Sequence, residues 1–179
     1  RTALFQMGRM DTYMQPDLPL ESAQMQPSDL EDVLAIEKTS FATPWSRDMF
    51  YEEMKNRNAR AVVFRLEGKI IGYICFWVVL DEAHVLNIAV HPEQRGRGYG
   101  KAIMAYLESV CRKERLNRLL LEVGRRNAPA RSLYKKFGFS SIGFRKHYYA
   151  VIKDDALVME KWLGFGEEAN RDSERSETK

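Results

Sequence analysis

The sequence predicts an α/β (α+β) domain, with a mixed, mostly antiparallel central sheet and helices on both faces. Three observations predict it. Two strand-like runs flank Glu67-Gly68, a tight-turn dipeptide, and local hairpins pair their strands antiparallel. Leu119-Leu120-Leu121-Glu122-Val123 is almost wholly apolar, as suits a strand covered on both sides. Amphipathic helical patterns fall both before the hairpin and after it, so the sheet has helices to cover more than one face.

Taken in order, residues 1–22 read as a flexible arm outside the core, because their methionines and Pro16/Pro19 show no clear period. The chain begins with Arg1, and Met7, Met10 and Met14 are candidate natural starts. Met25 fits a short first strand ending at Pro27. Ser28-x-x-Glu31 reads as a capping box for a helix running to about Ser40, with Leu30, Val33, Leu34 and Glu37 at helical spacing. Pro44 disfavours helix at Thr43, and Ser46 can cap a second helix through Met54. Strands follow at Arg60–Leu66, Lys69–Val79 and Ala83–Val90.

The helix after Gly100 places Ile103, Leu107, Val110 and Cys111 on one face. Arg118–Val123 is a strand. Asn127 caps the next helix, Pro129 is tolerated in its first turn, and Gly138 ends it. Phe139–Phe144 and Ala156–Trp162 read as the last strands, with Lys146-His147-Tyr148-Tyr149 as a basic, aromatic loop between them. Residues 164–179 are charged and aperiodic, as in a disordered tail. The domain proper is therefore expected over 23–163.

The 179 residues suit one domain. A formal net charge of +3 is too small to argue for nucleic acid. No apolar run reaches membrane-spanning length, and residues 1–19 lack the apolar core of a signal peptide. Cys75 and Cys111 lie inside apolar patterns, with no metal-ligand spacing and no disulfide framework. Buried free thiols fit a reducing compartment, so the expected location is the cytoplasm.

The most informative stretch is Asn87 to Lys101. An apolar strand end, Ile88-Ala89-Val90, meets the breaker His91-Pro92, and a turn with Gly96, Gly98 and Gly100 opens a helix. Such a junction leaves backbone N–H groups free at the positive end of a helix dipole, a cradle for phosphate. Arg95, Arg97 and Lys101 add charge. A P-loop reading fails, since its first glycine would fall on Arg95 and its hydroxyl on Ala102. A dinucleotide fingerprint places its third glycine on Lys101. Arg95-Gly96-Arg97-Gly98-Tyr99-Gly100 instead resembles the Arg/Gln-x-x-Gly-x-Gly loop of the GCN5-related N-acetyltransferases (GNAT), and Asn127 through Leu133-Tyr134 to Gly138-Phe139 resembles a separate signature in that family's second half. Phe41-x-x-Pro44-Trp45-Ser46, Val79–Ala83 and Tyr148-Tyr149 resemble one branch of that family, the RimI type, which acetylates the N-terminal alanine of a small-subunit ribosomal protein.

The resemblance implies acetyl-CoA as co-substrate, no metal, and a protein N-terminus as acceptor, most readily a ribosomal protein. No nucleic acid or membrane partner is expected, while a partner subunit or a second copy could supply specificity. It implies cofactor contacts from Ile88, Ala89, Val90, Arg95, Gly96, Arg97, Gly98, Tyr99, Gly100, Lys101, Asn127 and Tyr134. Arg125, Arg126, Arg131, Lys135 and Lys136 could reach the cofactor's other phosphate, or form a solvated face. Glu122 carries the expected general-base role and Tyr134 that of an acid toward the leaving thiolate. Taken alone, Tyr134 reads first as a core residue at helical spacing, between Leu133 and Phe137. Trp45, Glu82, Tyr148 and Tyr149 are candidates for the acceptor groove. His84, His91 and His147 are scattered and assigned no chemistry. Two rival functions stay open: the same transfer to a small amine, and a non-catalytic acyl-CoA sensor.

Overall fold

The computed structural model describes residues 11–15, 18–149 and 154–164. Eight strands form one sheet: β1 (Asp11–Gln15), β2 (Leu18–Gln24), β3 (Ala59–Leu66), β4 (Lys69–Val79), β5 (Glu82–Val90), β6 (Arg118–Gly124), β7 (Ser140–Tyr149) and β8 (Asp154–Trp162). Their spatial order is β1-β2-β3-β4-β5-β6-β8-β7. Every pairing is antiparallel except β5 with β6, the two strands joined through a helix. The helices are α1 (Leu30–Ser40), α2 (Arg47–Lys55), α3 (Tyr99–Lys113) and α4 (Ala128–Lys136).

Strand alternation divides the core in two. Ala61, Val63, Tyr73 and Cys75 face one way and pack with Val33, Ile36 and Phe50 of α1 and α2. Val62, Phe64, Ile74 and Phe76 face the other way and pack with Ile103, Met104 and Leu107 of α3. Ser46 caps α2 by accepting from the Met49 N–H at 3.3 Å, and Asn127 caps α4 by accepting from the Ala130 N–H at 3.2 Å. Burial pushes the Cys111 thiol up to about 12 and raises that of Cys75 as well, so neither thiol is primed as a nucleophile.

Gly72 of β4 lies tight against both the neighbouring strand β5 and the overlying helix α3. A Cβ there would sit 2.9 Å from the Ala89 carbonyl oxygen and 3.0 Å from Ile103 Cδ1. Gly72→Ala is therefore expected to lower stability by about 1–3 kcal/mol through overpacking. Urea unfolding checks this, and an unchanged midpoint would show that β5 and α3 yield freely.

Three expectations are corrected. Residues 11–15 and 18–24 are strands, not an arm, and Leu20 is buried. Pro19 obscured the pattern, but β2 pairs with β3 only from Glu21 onward, so its missing N–H breaks no bond there. Residues 1–10 and 165–179 lie outside the described residues. The start of α1 is set by Asp29 rather than Ser28. Its carboxylate accepts from the Gln26 N–H at 2.8 Å across a 3-10 turn and pairs with Arg65 of β3. Lys146–Tyr149, expected as a loop, continues β7, with Tyr149 opposite Asp154 of β8.

Candidate active site

The site arises where two neighbouring strands part. β5 and β6 pair from Glu82/Arg118 to Val85/Leu121 and no further, although they run on to Val90 and Gly124. On its other side β5 carries a bulge. Phe76 pairs with Val85 and Cys75 with Asn87, leaving Leu86 as the extra residue. A bulge bends and twists its strand, which accounts for the divergence at this level. The splay opens a cavity of about 420 Å³, walled by β5 from Val85 to Val90, the end of β6, the glycine turn and the inner side of α4.

The turn has the backbone that a phosphate cradle needs. Gly96 and Gly98 have φ of +75° and +89°, which side chains rarely adopt. Gly98 is the N-cap of α3 and supplies no side-chain cap bond, so the first N–H groups of the helix remain available to an anion. Together with the unpaired β5 edge, these donors fit a long phosphorylated thioester: amide groups along the strand, phosphate on the helix N-terminus. Among the described residues, no group of His, Cys, Asp and Glu side chains has the arrangement of a metal site.

Of the residues expected to contact the cofactor, Ile88, Ala89, Val90, Arg95, Gly96, Gly100, Asn127 and Tyr134 line this cavity. Two of the expected contacts have other employment. Arg95 is committed to the protein, donating from Nε to the Val90 carbonyl at 3.0 Å and from Nη2 to Ser40 Oγ at 2.8 Å. The Tyr99 side chain is buried in the core, leaving its backbone for the cradle. Arg97 is exposed and donates to Gln94 at 3.3 Å, and Lys101 is exposed without lining the cavity.

A second cavity, of about 520 Å³, opens toward Trp45, Trp77, His84 and Leu120. The two cavities share Phe41, Val85, Leu86, Asn87, Leu121 and Glu122. Glu122 alternates with the buried Leu121 and Val123, so it points away from their core. Its Oε1 lies 3.1 Å from Arg145 Nε, a partner the sequence did not suggest because 23 residues separate the two. A carboxylate at the junction of two clefts can remove a proton from a group entering by one while a thioester lies in the other.

Tyr134 is buried, lines the first cavity, and packs on Phe139 with centroids 6.0 Å apart. Trp45 lines the second cavity and packs edge-on against Phe50 at 5.2 Å, so it both staples helices and walls a groove. Glu82 is not in that wall. Its carboxylate is divided between Arg118 at 3.1 Å and His84 at 2.8 Å. The Tyr148 and Tyr149 side chains lie outside what the structure describes. Sequence reasoning also missed Asn87 and Glu37. The available signal was a carboxylate at helical spacing with Leu30 and Val33.

This fold and this pair of clefts define a class: the chain belongs to the acetyltransferase (GNAT) family, whose model matches residues 30–139. Its relatives narrow the class. A provisionally named ribosomal protein bS18-alanine N-acetyltransferase of Bacillus subtilis (strain 168) is 40% identical over 144 residues, covering 80% of this chain and 94% of that protein. The ribosomal protein bS18-alanine N-acetyltransferase of Escherichia coli (strain K12) is 34% identical over 141 residues, covering 76% and 93%. The crystal structure of the Escherichia coli ribosomal-protein-S18-alanine N-acetyltransferase superposes with a TM-score of 0.75 at 30% identity, covering 80% of this chain and 94% of that one.

Proposed function

We propose that this chain transfers the acetyl group of acetyl-CoA to the N-terminal α-amine of a protein, with the N-terminal alanine of ribosomal protein bS18 as the acceptor. One observation carries the reading most directly: Glu122 stands where the two cavities meet. The names of the relatives support the choice of acceptor. A cytoplasmic location follows from that acceptor.

In the proposed mechanism, the backbone of Ile88–Val90 aligns the pantetheine arm and the turn from Gly96 to Gly100 holds the pyrophosphate. The acceptor enters through the cleft beside Trp45. Glu122 takes the proton of its ammonium, directly or through a water, and the neutral amine attacks the thioester carbonyl. A C–N bond forms and the C–S bond breaks; the nitrogen gives up its second proton to solvent water, while Tyr134 protonates the departing thiolate and is itself reprotonated from solvent. Direct attack fits two buried thiols that are poor acyl carriers.

The test is incubation with acetyl-CoA and an alanine-initiated peptide copying the bS18 N-terminus, with thiol release followed. Turnover on that peptide well above turnover on polyamines, aminoglycosides and free amino acids is expected. The reverse ranking would make this a small-amine acetyltransferase. Cofactor binding with no turnover on any amine would make it a sensor.

A further inference from the structure

α1 carries a carboxylate where an apolar side chain would complete its buried face. Glu37 is 1% exposed, alongside Val33 and Ile36 at 0% and 1%. Burying a charge with no counter-charge is unfavourable unless hydrogen bonds replace its water. Here every partner is neutral. Oε1 accepts from the Trp45 backbone N–H at 2.7 Å and from Asn87 Nδ2 at 3.2 Å, and Oε2 accepts from Asn87 Nδ2 at 3.1 Å and from the Tyr73 hydroxyl. Burial, followed by the charge of Glu37 itself, pushes the Tyr73 phenol far above its usual range, which keeps it a donor.

The three partners come from three different pieces of structure, the α1–α2 loop, β4, and β5 next to its bulge, and Glu37 joins them to the last turns of α1. The loop depends on this anchor. Among the described residues, the hydrogen bond from the Trp45 N–H to Glu37 is the only one made by residues 42–45. Phe41, Thr43 and Trp45 of the same segment wall the second cavity. With both oxygens already accepting, Glu37 has little capacity left to serve as a base, although it borders that cavity.

We propose that Glu37 is a positioning residue for acceptor recognition: its buried carboxylate holds the Phe41–Trp45 wall against the bulged part of β5 and so sets the shape of the acceptor groove. This rests on the reading of the second cavity as the acceptor's cleft. The residue touches no reacting atom in this account. It acts through the Trp45 backbone.

The test compares Glu37→Gln with the wild type on the alanine-initiated peptide and on acetyl-CoA. Glutamine has nearly the same volume but only one acceptor oxygen for donors that now use two, so the loop loses part of its anchor. The acceptor KM is expected to rise about tenfold while the acetyl-CoA KM stays within about twofold, the size of one charge-assisted hydrogen bond acting on one substrate. Tyr73→Phe removes a donor without touching the loop bond, so it is expected to change stability while sparing the acceptor KM. An unchanged acceptor KM in folded Glu37→Gln would overturn the proposal. So would an equal rise in both KM values, which marks a merely structural role. Should Glu37→Gln fail to fold, Glu37→Asp, which withdraws the charge by one methylene, must give the same split, or the proposal falls. If the wild type turns over no peptide at all, the acceptor reading itself has failed, and this inference with it.

Discussion

Glu122→Gln is expected to lower turnover on an α-amine acceptor about 100-fold at pH 7, with acetyl-CoA affinity within about twofold of wild type. That loss corresponds to about 2.7 kcal/mol of transition-state stabilisation. Glutamine preserves the shape at the junction of the two cavities and can still accept from Arg145 Nε, so the fold should not suffer. It cannot take a proton. An α-amine ordinarily titrates near ~8, so at pH 7 only about a tenth of the acceptor is neutral. The variant must depend on that fraction, whereas the wild type can deprotonate the bound ammonium. As pH rises through 8 the neutral fraction grows, and the defect is expected to shrink by up to about tenfold by pH 9. A pH-rate comparison checks this. A defect of constant size would mean that Glu122 orients the acceptor without accepting its proton, and full turnover at pH 7 would remove it from the mechanism.

The fold was legible in the sequence wherever local chemistry decides it. The Glu67-Gly68 turn, the Ser46 and Asn127 caps and the stop at Gly138 are each a local backbone problem solved by the residue present. What failed was decided at a distance. Asp29, not Ser28, stands at the start of α1, and its carboxylate is paired with Arg65, 36 residues away in the sequence. β1 and β2 carry no clear period of their own and become strands by pairing, β2 onto β3 and β1 onto β2. The candidate site divides the same way. The glycine turn and the alternation of Leu121-Glu122-Val123 are local, and they placed Gly96, Gly100 and Glu122 on the cavity. The splay depends on a bulge in the ladder between β4 and β5, and no single strand records it. Arg95 shows the limit of a motif: the loop fits, yet the arginine fastens the loop to β5 and α1. Glu37 was visible on the α1 stripe, but its meaning came only from Trp45, Tyr73 and Asn87 converging on it.

Tyr134→Phe is the sharper test of chemistry against packing, because the two readings of this residue predict opposite outcomes. The ring is buried against Phe139 and lies in the α3–α4 side of the core, and phenylalanine would keep all of that. If Tyr134 is a core aromatic, the variant should turn over normally. If its hydroxyl protonates the leaving thiolate, turnover is expected to fall about 10- to 100-fold, with the acetyl-CoA KM and the thermal midpoint little changed. A phenol ordinarily titrates near ~10 and a thiol near ~8.5, so full proton transfer from one to the other runs uphill by about 2 kcal/mol. The gain must therefore come while charge is still building on sulfur, where a positioned O–H stabilises the transition state more than the ground state. The loss should consequently appear in the acetyl-transfer step, measured in a single turnover with enzyme in excess. A slow single turnover in a fully stable Tyr134→Phe protein would assign the hydroxyl to the reaction. An unchanged one would return Tyr134 to the core and leave solvent to protonate the thiolate.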